Sequence, residues 1–169
     1  LKDADQYALS ADGTLAARLS PEEGRLCLFE TTALAVRWCR TEARLKGSAT
    51  LLVPTDGSTV GVSADNQVLL FEASRGAPLA TLPHDGGFVD QVRILDGGAG
   101  VVSANGQQIL VRSRESGSVR TIETRCPAIS ALQVYRNTYV AAACMSQGVV
   151  WVYRLSDLQP VLAAEAPLN

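Results

Sequence analysis

Val68-Leu69-Leu70-Phe71-Glu72, apolar at four successive positions and closed by an acid, returns three more times in altered form. The counterparts are Leu26-Cys27-Leu28-Phe29-Glu30, Ile109-Leu110-Val111-Arg112-Ser113 and Val150-Trp151-Val152-Tyr153-Arg154. Their fourth positions, 29, 71, 112 and 153, are 42, 41 and 41 apart. A second ruler runs in step: the turns Asp12-Gly13, Asp56-Gly57 and Asp96-Gly97 lie 44 and 40 apart, and Arg136-Asn137 falls 40 further on. Four repeats of about forty residues fill the 169-residue chain, and a period of this size marks a repeat architecture.

Each unit reads as four short strands. In the second, residues 49–53 form a strand, Asp56-Gly57 a turn able to take positive φ, and residues 59–63 a second strand. Asp65-Asn66 turns the chain into a third strand at 68–72, Ser74-Arg75-Gly76 turns it again, and residues 78–82 close the unit. The equivalent fourth strands are 35–40, 118–124 and 160–165. No segment carries a capped helical stripe. Third strands apolar at nearly every position predict sheets covered on both faces. Second strands built from small residues, as in Val60-Gly61-Val62-Ser63 and Ala141-Ala142-Ala143, suit sheets that converge on an axis. The predicted fold is therefore all-β: a β-propeller segment of four four-stranded blades, at about 4–46, 47–87, 88–127 and 128–169.

The strings Leu9-Ser10-Ala11-Asp12-Gly13-Thr14-Leu15-Ala16 and Gly61-Val62-Ser63-Ala64-Asp65-Asn66-Gln67-Val68-Leu69-Leu70-Phe71-Glu72 resemble the strand, turn and strand of the WD40 repeat family. The resemblance covers nearly all of residues 4–166. Where that family ends strand three in Trp-Asp, this chain has Phe29-Glu30, Phe71-Glu72, Arg112-Ser113 and Tyr153-Arg154, and the family's Gly-His is echoed once by Pro83-His84. Rings of this family usually carry more than four blades, so the resemblance implies part of a larger ring. Further blades of the same parent chain, or a second copy, would then cover the end faces. Those faces are expected to include Leu26, Leu28 and Phe29 at one end and Trp151, Val152 and Tyr153 at the other.

Charge and composition narrow the function. Fifteen basic against seventeen acidic residues give a net charge of −2, which lacks the basic excess of a phosphate-tracking protein, so nucleic acid is an unlikely partner class. The longest uncharged run, residues 137–153, contains Asn137, Ser146, Gln147 and Gly148 and is too short and polar for a helical membrane span. The chain opens Leu1-Lys2-Asp3 with neither an initiator Met nor a secretory signal, and reads as an excerpt. Cys27, Cys39, Cys126 and Cys144 lack CxxC spacing and sit in or beside apolar stretches, which reads as buried free thiols, a reducing compartment and a cytoplasmic location. Nuclear and ciliary settings stay open.

Candidate chemistry is sparse. His84 is the one histidine, and no nucleophile or orienting carboxylate is placed beside it, so it reads as a blade staple bonded to Ser103. With no cysteine pairs to join His84, no metal is expected, and the glycines form no phosphate loop, so no cofactor is expected either. Arg37, Arg40, Arg44 and Lys46 make the densest basic run, yet thirteen arginines against two lysines read as composition bias. Trp38 and Trp151 read as core aromatics.

The expected function is a non-catalytic protein–protein interaction scaffold acting through blade-end loops. In WD40 geometry one end of the ring is built from the turns between strands two and three and from the blade-to-blade links. That implies a partner-binding rim of Glu22, Glu23, Arg44, Lys46, Asp65, Asn66, His84, Asp85, Asn105, Arg125 and Gln147. Two alternatives stand beside it. One is a propeller hydrolase or lyase with a metal in the central channel, disfavoured by the apolar first-strand residues Tyr7, Leu9, Leu51, Val53, Val92, Ile94, Leu132 and Val134. The other is RNA binding through an arginine-bearing rim, disfavoured by the charge balance.

Overall fold

A computed structural model describes residues 5–47, 50–54, 56–84 and 92–165. The first sheet is β1 (Gln6–Leu9), β2 (Leu15–Ser20), β3 (Arg25–Glu30) and β4 (Ala35–Thr41). The second is β5 (Thr50–Leu52), β6 (Thr59–Ala64), β7 (Gln67–Glu72) and β8 (Pro78–Pro83). The third is β9 (Val92–Ile94), β10 (Gly100–Asn105), β11 (Gln108–Ser113) and β12 (Val119–Glu123), and the fourth β13 (Ala131–Tyr135), β14 (Tyr139–Cys144), β15 (Val149–Arg154) and β16 (Pro160–Glu165). Every sheet is an antiparallel meander in chain order. Helical structure among the described residues is limited to three short 3-10 turns, Ala43–Leu45, Asp96–Gly98 and Met145–Gln147.

Turn chemistry explains the hairpins. Asp65 and Asn66 both take positive φ, 50° and 59°, the conformation a two-residue hairpin needs and asparagine and aspartate tolerate. Between the third and fourth strands the repeat demands a left-handed residue at Leu34, Gly76, Gly117 and Leu158, again 42, 41 and 41 apart. Glycine meets that demand in the middle blades, whereas leucine carries it in the first and last.

The chain divides into two compact units. The first holds β1–β8 together with the turn Asp96–Gly98, and the second holds β9–β16. In the first unit Ala17, Leu19, Leu26 and Leu28 pack on Leu51, Val60, Val62, Leu69 and Phe71. Polar contacts stitch the same two sheets: Trp38 Nε1 donates to the Ala73 carbonyl at 2.9 Å and Arg40 to the Gly76 carbonyl at 2.8 Å. The Arg40 guanidinium also lies 5.7 Å from the centroid of Phe71. β6 is buried at all six positions, which its small residues permit. The turns are tied as well, since the Asp56 N–H donates to Asp96 Oδ1 at 3.2 Å and the Gly97 N–H to Asp56 Oδ2 at 2.8 Å. In the second unit Ile109, Val111 and Ile122 pack with Leu132, Val134, Val140 and Tyr153. There Arg120 donates to the Ser156 carbonyl at 3.2 Å.

The cysteines correct the sequence reading. Cys27 is bonded to Cys39 and Cys126 to Cys144, so none of the four is a free thiol. Cys27 and Cys39 are direct register partners across β3 and β4, with Cα atoms 4.1 Å apart. Cys126, in the link after β12, reaches the last residue of β14. Compositional spacing is blind to both pairings, because Cys27 meets Cys39 through the β3–β4 register and Cys126 meets Cys144 through the docking of its link on β14.

Candidate interaction surfaces

A junction between a hairpin turn and a blade-to-blade link occurs in both units, beside residues assigned to the expected rim. In the first unit the Glu42 N–H donates to the Gly24 carbonyl at 2.9 Å and the Gly47 N–H to the Pro21 carbonyl at 3.3 Å. In the second unit the Thr124 N–H and hydroxyl both donate to the Gln107 carbonyl, at 2.9 and 2.6 Å. Gly24 is needed at its junction: its φ is +65°, and a Cβ there would meet the Glu42 carbonyl oxygen at 2.6 Å. The junction brings Glu22 and Glu23 to Arg44 and Lys46, all four exposed. Charges of both signs are mounted on a fixed backbone, and Glu42 draws Arg40 and Arg44 to 3.3 and 3.9 Å. The basic run is thus partly neutralised where it stands.

The other predicted rim residues are distributed as follows. Asp65 and Asn66 are exposed at the β6–β7 turn, and Gln147 is exposed in the 3-10 turn before β15. Arg125 is exposed with its guanidinium 5.4 Å from the Trp151 ring centroid, and it borders an open groove of about 530 Å³ between β12 and β15–β16. Burial raises the Tyr153 hydroxyl pKa in the same groove, with Arg125 pulling the other way. Asn105 closes β10, and Asp85 lies outside the described residues. His84 departs from the expectation: at 6% exposure it offers no rim surface and fits the interior position of a staple.

The first-strand residues assigned to a channel lining are not one class either. Leu51, Val92, Ile94, Leu132 and Val134 are buried in packing, whereas Tyr7 and Leu9 are 71% and 65% exposed. Those two belong to the larger surface that the sequence misassigned. Register places Tyr7, Leu9, Ala16, Cys27 and Phe29 on one face of the first sheet, the face turned away from β5–β8. Leu26 and Leu28 point the other way and are buried, so of the expected end face only Phe29 lies on it. Val36 and Leu34 extend the patch, Leu34 at 90% exposure. The fourth sheet has a similar face at Tyr135, Val152 and Leu162, while Tyr153 is buried and Trp151 packs toward the core. A run apolar at every position does not say which alternate residues look outward, and that is why the end faces were misread.

No family model and no curated protein matches the chain. Solved structures do. The structure of U3-55K is 15% identical with a TM-score of 0.64, over 94% of this chain and 50% of that one. The dihydro-heme d1 dehydrogenase NirN in complex with DHE is 16% identical with a TM-score of 0.61, over 96% of this chain and 37% of that one. The chain spans half or less of each neighbour, and at these identities the likeness concerns the fold alone. Four four-stranded antiparallel sheets and propeller-fold neighbours make the chain a β-propeller segment.

Proposed function

We propose that the chain is a non-catalytic scaffold for protein–protein interaction, a degenerate WD40-like propeller segment whose blade-end loops contact protein partners. The observation that carries this reading is the turn-to-link junction, which holds exposed Glu22, Glu23, Arg44 and Lys46 on a hydrogen-bonded backbone. A rim fixed in this way presents charge to a partner at little ordering cost. Charge reversal tests it: the parent protein carrying Glu22→Lys, Glu23→Lys, Arg44→Glu and Lys46→Glu is compared with wild type for the partners cross-linked to it in cells. The reading expects specific partners to drop out while the circular dichroism spectrum stays unchanged. An unaltered partner set would overturn it.

In the same reading, further blades of the parent chain cover the two open sheet faces. The support is repetition, since the face of the fourth sheet equivalent to the one bearing Tyr7 and Leu9 is covered by the sheet before it. An apolar area of this kind drives association when left bare. The isolated 169-residue chain should therefore self-associate in sedimentation, and extending it with neighbouring parent sequence should yield a monomer. A stable, cooperatively unfolding monomer of the isolated chain would reject this part of the proposal.

A further inference from the structure

We propose that both cystines form during maturation, so that the protein is made and works in an oxidising compartment, in place of the cytoplasm expected from free thiols. Three features of the fold support this. First, the pairing uses every cysteine of the chain. Second, backbone bonding positions both pairs independently of sulfur. The β3–β4 ladder sets Cys27 opposite Cys39. The link carrying Cys126 is docked on the end of β14 by the Ser130 N–H and hydroxyl, both donating to the Ala143 carbonyl at 2.9 Å.

Third, each cystine belongs to a sheet that exposes large apolar side chains. β4 is held to β3 by Cys27–Cys39 on the face turned away from β5–β8, where Tyr7 and Leu9 are exposed. Cys126–Cys144 anchors the fourth sheet, whose far face exposes Tyr135 and Leu162. The second sheet has no cysteine, and the third none in its strands. Cross-links therefore stand in the sheets that expose most of the large apolar side chains among the described residues, the same relation that makes small secreted domains rich in disulfides.

Each bond forms by thiol–disulfide exchange. One cysteine thiolate attacks the disulfide of an oxidoreductase and forms a mixed disulfide. The second thiolate then displaces the oxidoreductase sulfur, which leaves as a dithiol carrying the two electrons and two protons. Such an oxidant is maintained in secretory, extracellular and periplasmic settings. Resting on the scaffold reading above, the inference confines the partners to proteins of that compartment; the cystines themselves stand whether or not the rim binds anything.

The two pairs also differ in access. Cys39 is exposed, whereas Cys126 and Cys144 are buried, so a reductant reaches the first cystine before the second. The parent protein, isolated from its own cells with free thiols alkylated at lysis, is reduced in denaturant and labelled with a second mass tag. All four cysteines should carry the second tag. Under native conditions graded reductant should release Cys27 and Cys39 first. The first tag on either pair would overturn the proposal. A second measurement uses the 169-residue chain: Cys126→Ser with Cys144→Ser should shift the unfolding equilibrium on the order of a hundred-fold toward the unfolded state without reductant, and should match wild type with reductant. Wild type and variant unfolding alike without reductant would likewise overturn it.

Discussion

Tyr7 and Leu132 hold the same place in their blades, and one stands in solvent while the other is sealed. Tyr7 lies across from Arg18, which lies across from Cys27, the second residue of its aligned run. Leu132 lies across from Ala142, which lies across from Trp151, the second residue of its run. The next step repeats the contrast, with Leu9 exposed and Val134 at 7%. Residue type does not decide the outcome, because all four side chains are apolar or aromatic. A preceding sheet in the same unit decides it: β9–β12 lies against the fourth sheet, whereas within the first unit β5–β8 packs on the opposite face from Tyr7 and Leu9. In a stack of blades, burial is a property of adjacency.

Truncation should expose this contrast most strongly. Leu132→Ala removes a side chain at 2% exposure and should lower stability by about 2–5 kcal/mol, the transfer loss plus the cavity left behind. Tyr7→Ala should change it by less than about 0.5 kcal/mol. Urea unfolding of the 169-residue chain, at a dilution where sedimentation shows monomer, compares the two. Equal losses would break the comparison, because Tyr7 would then have to be covered in solution.

The left-handed turn residue gives the next largest effect. A Cβ on Gly76 would lie 2.6 Å from Cδ2 of Trp38, on the preceding sheet, whereas one on Gly117 would meet nothing within 4 Å. Both positions have positive φ, so alanine costs roughly 1 kcal/mol at either from the backbone alone. Gly76→Ala adds the displacement of an indole ring and should cost roughly 2–4 kcal/mol in total. Thermal unfolding separates the pair; similar losses would mean that Trp38 moves aside freely. At the two leucines of the series the sign should divide. Leu158 packs on the core of its unit, and Leu158→Gly should lose about 1–2 kcal/mol of burial. Leu34 has no such packing, so Leu34→Gly exchanges backbone strain for unfolded-state entropy and should range from neutral to about 1 kcal/mol stabilising.

These positions show what could be read from the chain. The period was legible because each third strand is a compact apolar run at a fixed spacing, and the predicted strand at 160–165 coincides with Pro160–Glu165. The left-handed turn was half legible: Gly76 and Gly117 announce it, while Leu34 and Leu158 conceal it, since leucine carries no turn signal. For His84 the staple reading agrees with its 6% exposure, whereas a place on the rim surface does not. The open face was illegible because Leu26, Cys27, Leu28 and Phe29 offer apolar side chains to both sides. The cystines were illegible because Cys27 and Cys39 become partners only once a bulge between Leu28 and Phe29 has set the β3–β4 register.

The smallest effect concerns the first turn of each end blade. Asp12 accepts hydrogen bonds from the Ser10 hydroxyl at 2.6 Å and the Thr14 N–H at 3.0 Å. The hydroxyl first, then the N–H, hold its pKa below the ordinary aspartate value of 3.8. The fourth blade has Arg136-Asn137 at the equivalent turn, with no acidic residue in 135–139, and there the Thr138 N–H donates to the Tyr135 carbonyl at 2.9 Å. A carboxyl whose pKa is lowered by folding contributes its stability fully above the unfolded value and loses it as pH falls through the folded one. Acid should therefore loosen the first turn below about pH 3.8 and leave the fourth turn closed. In an NMR titration the Thr14 amide should show an inflection beneath the usual carboxylate range, which Asp12→Asn abolishes, while the Thr138 amide stays flat. An inflection at or above the ordinary value would mean that the Ser10 hydroxyl does not hold the carboxylate, and a Thr138 amide moving in parallel would mean that the two ends of the segment respond to acid as one.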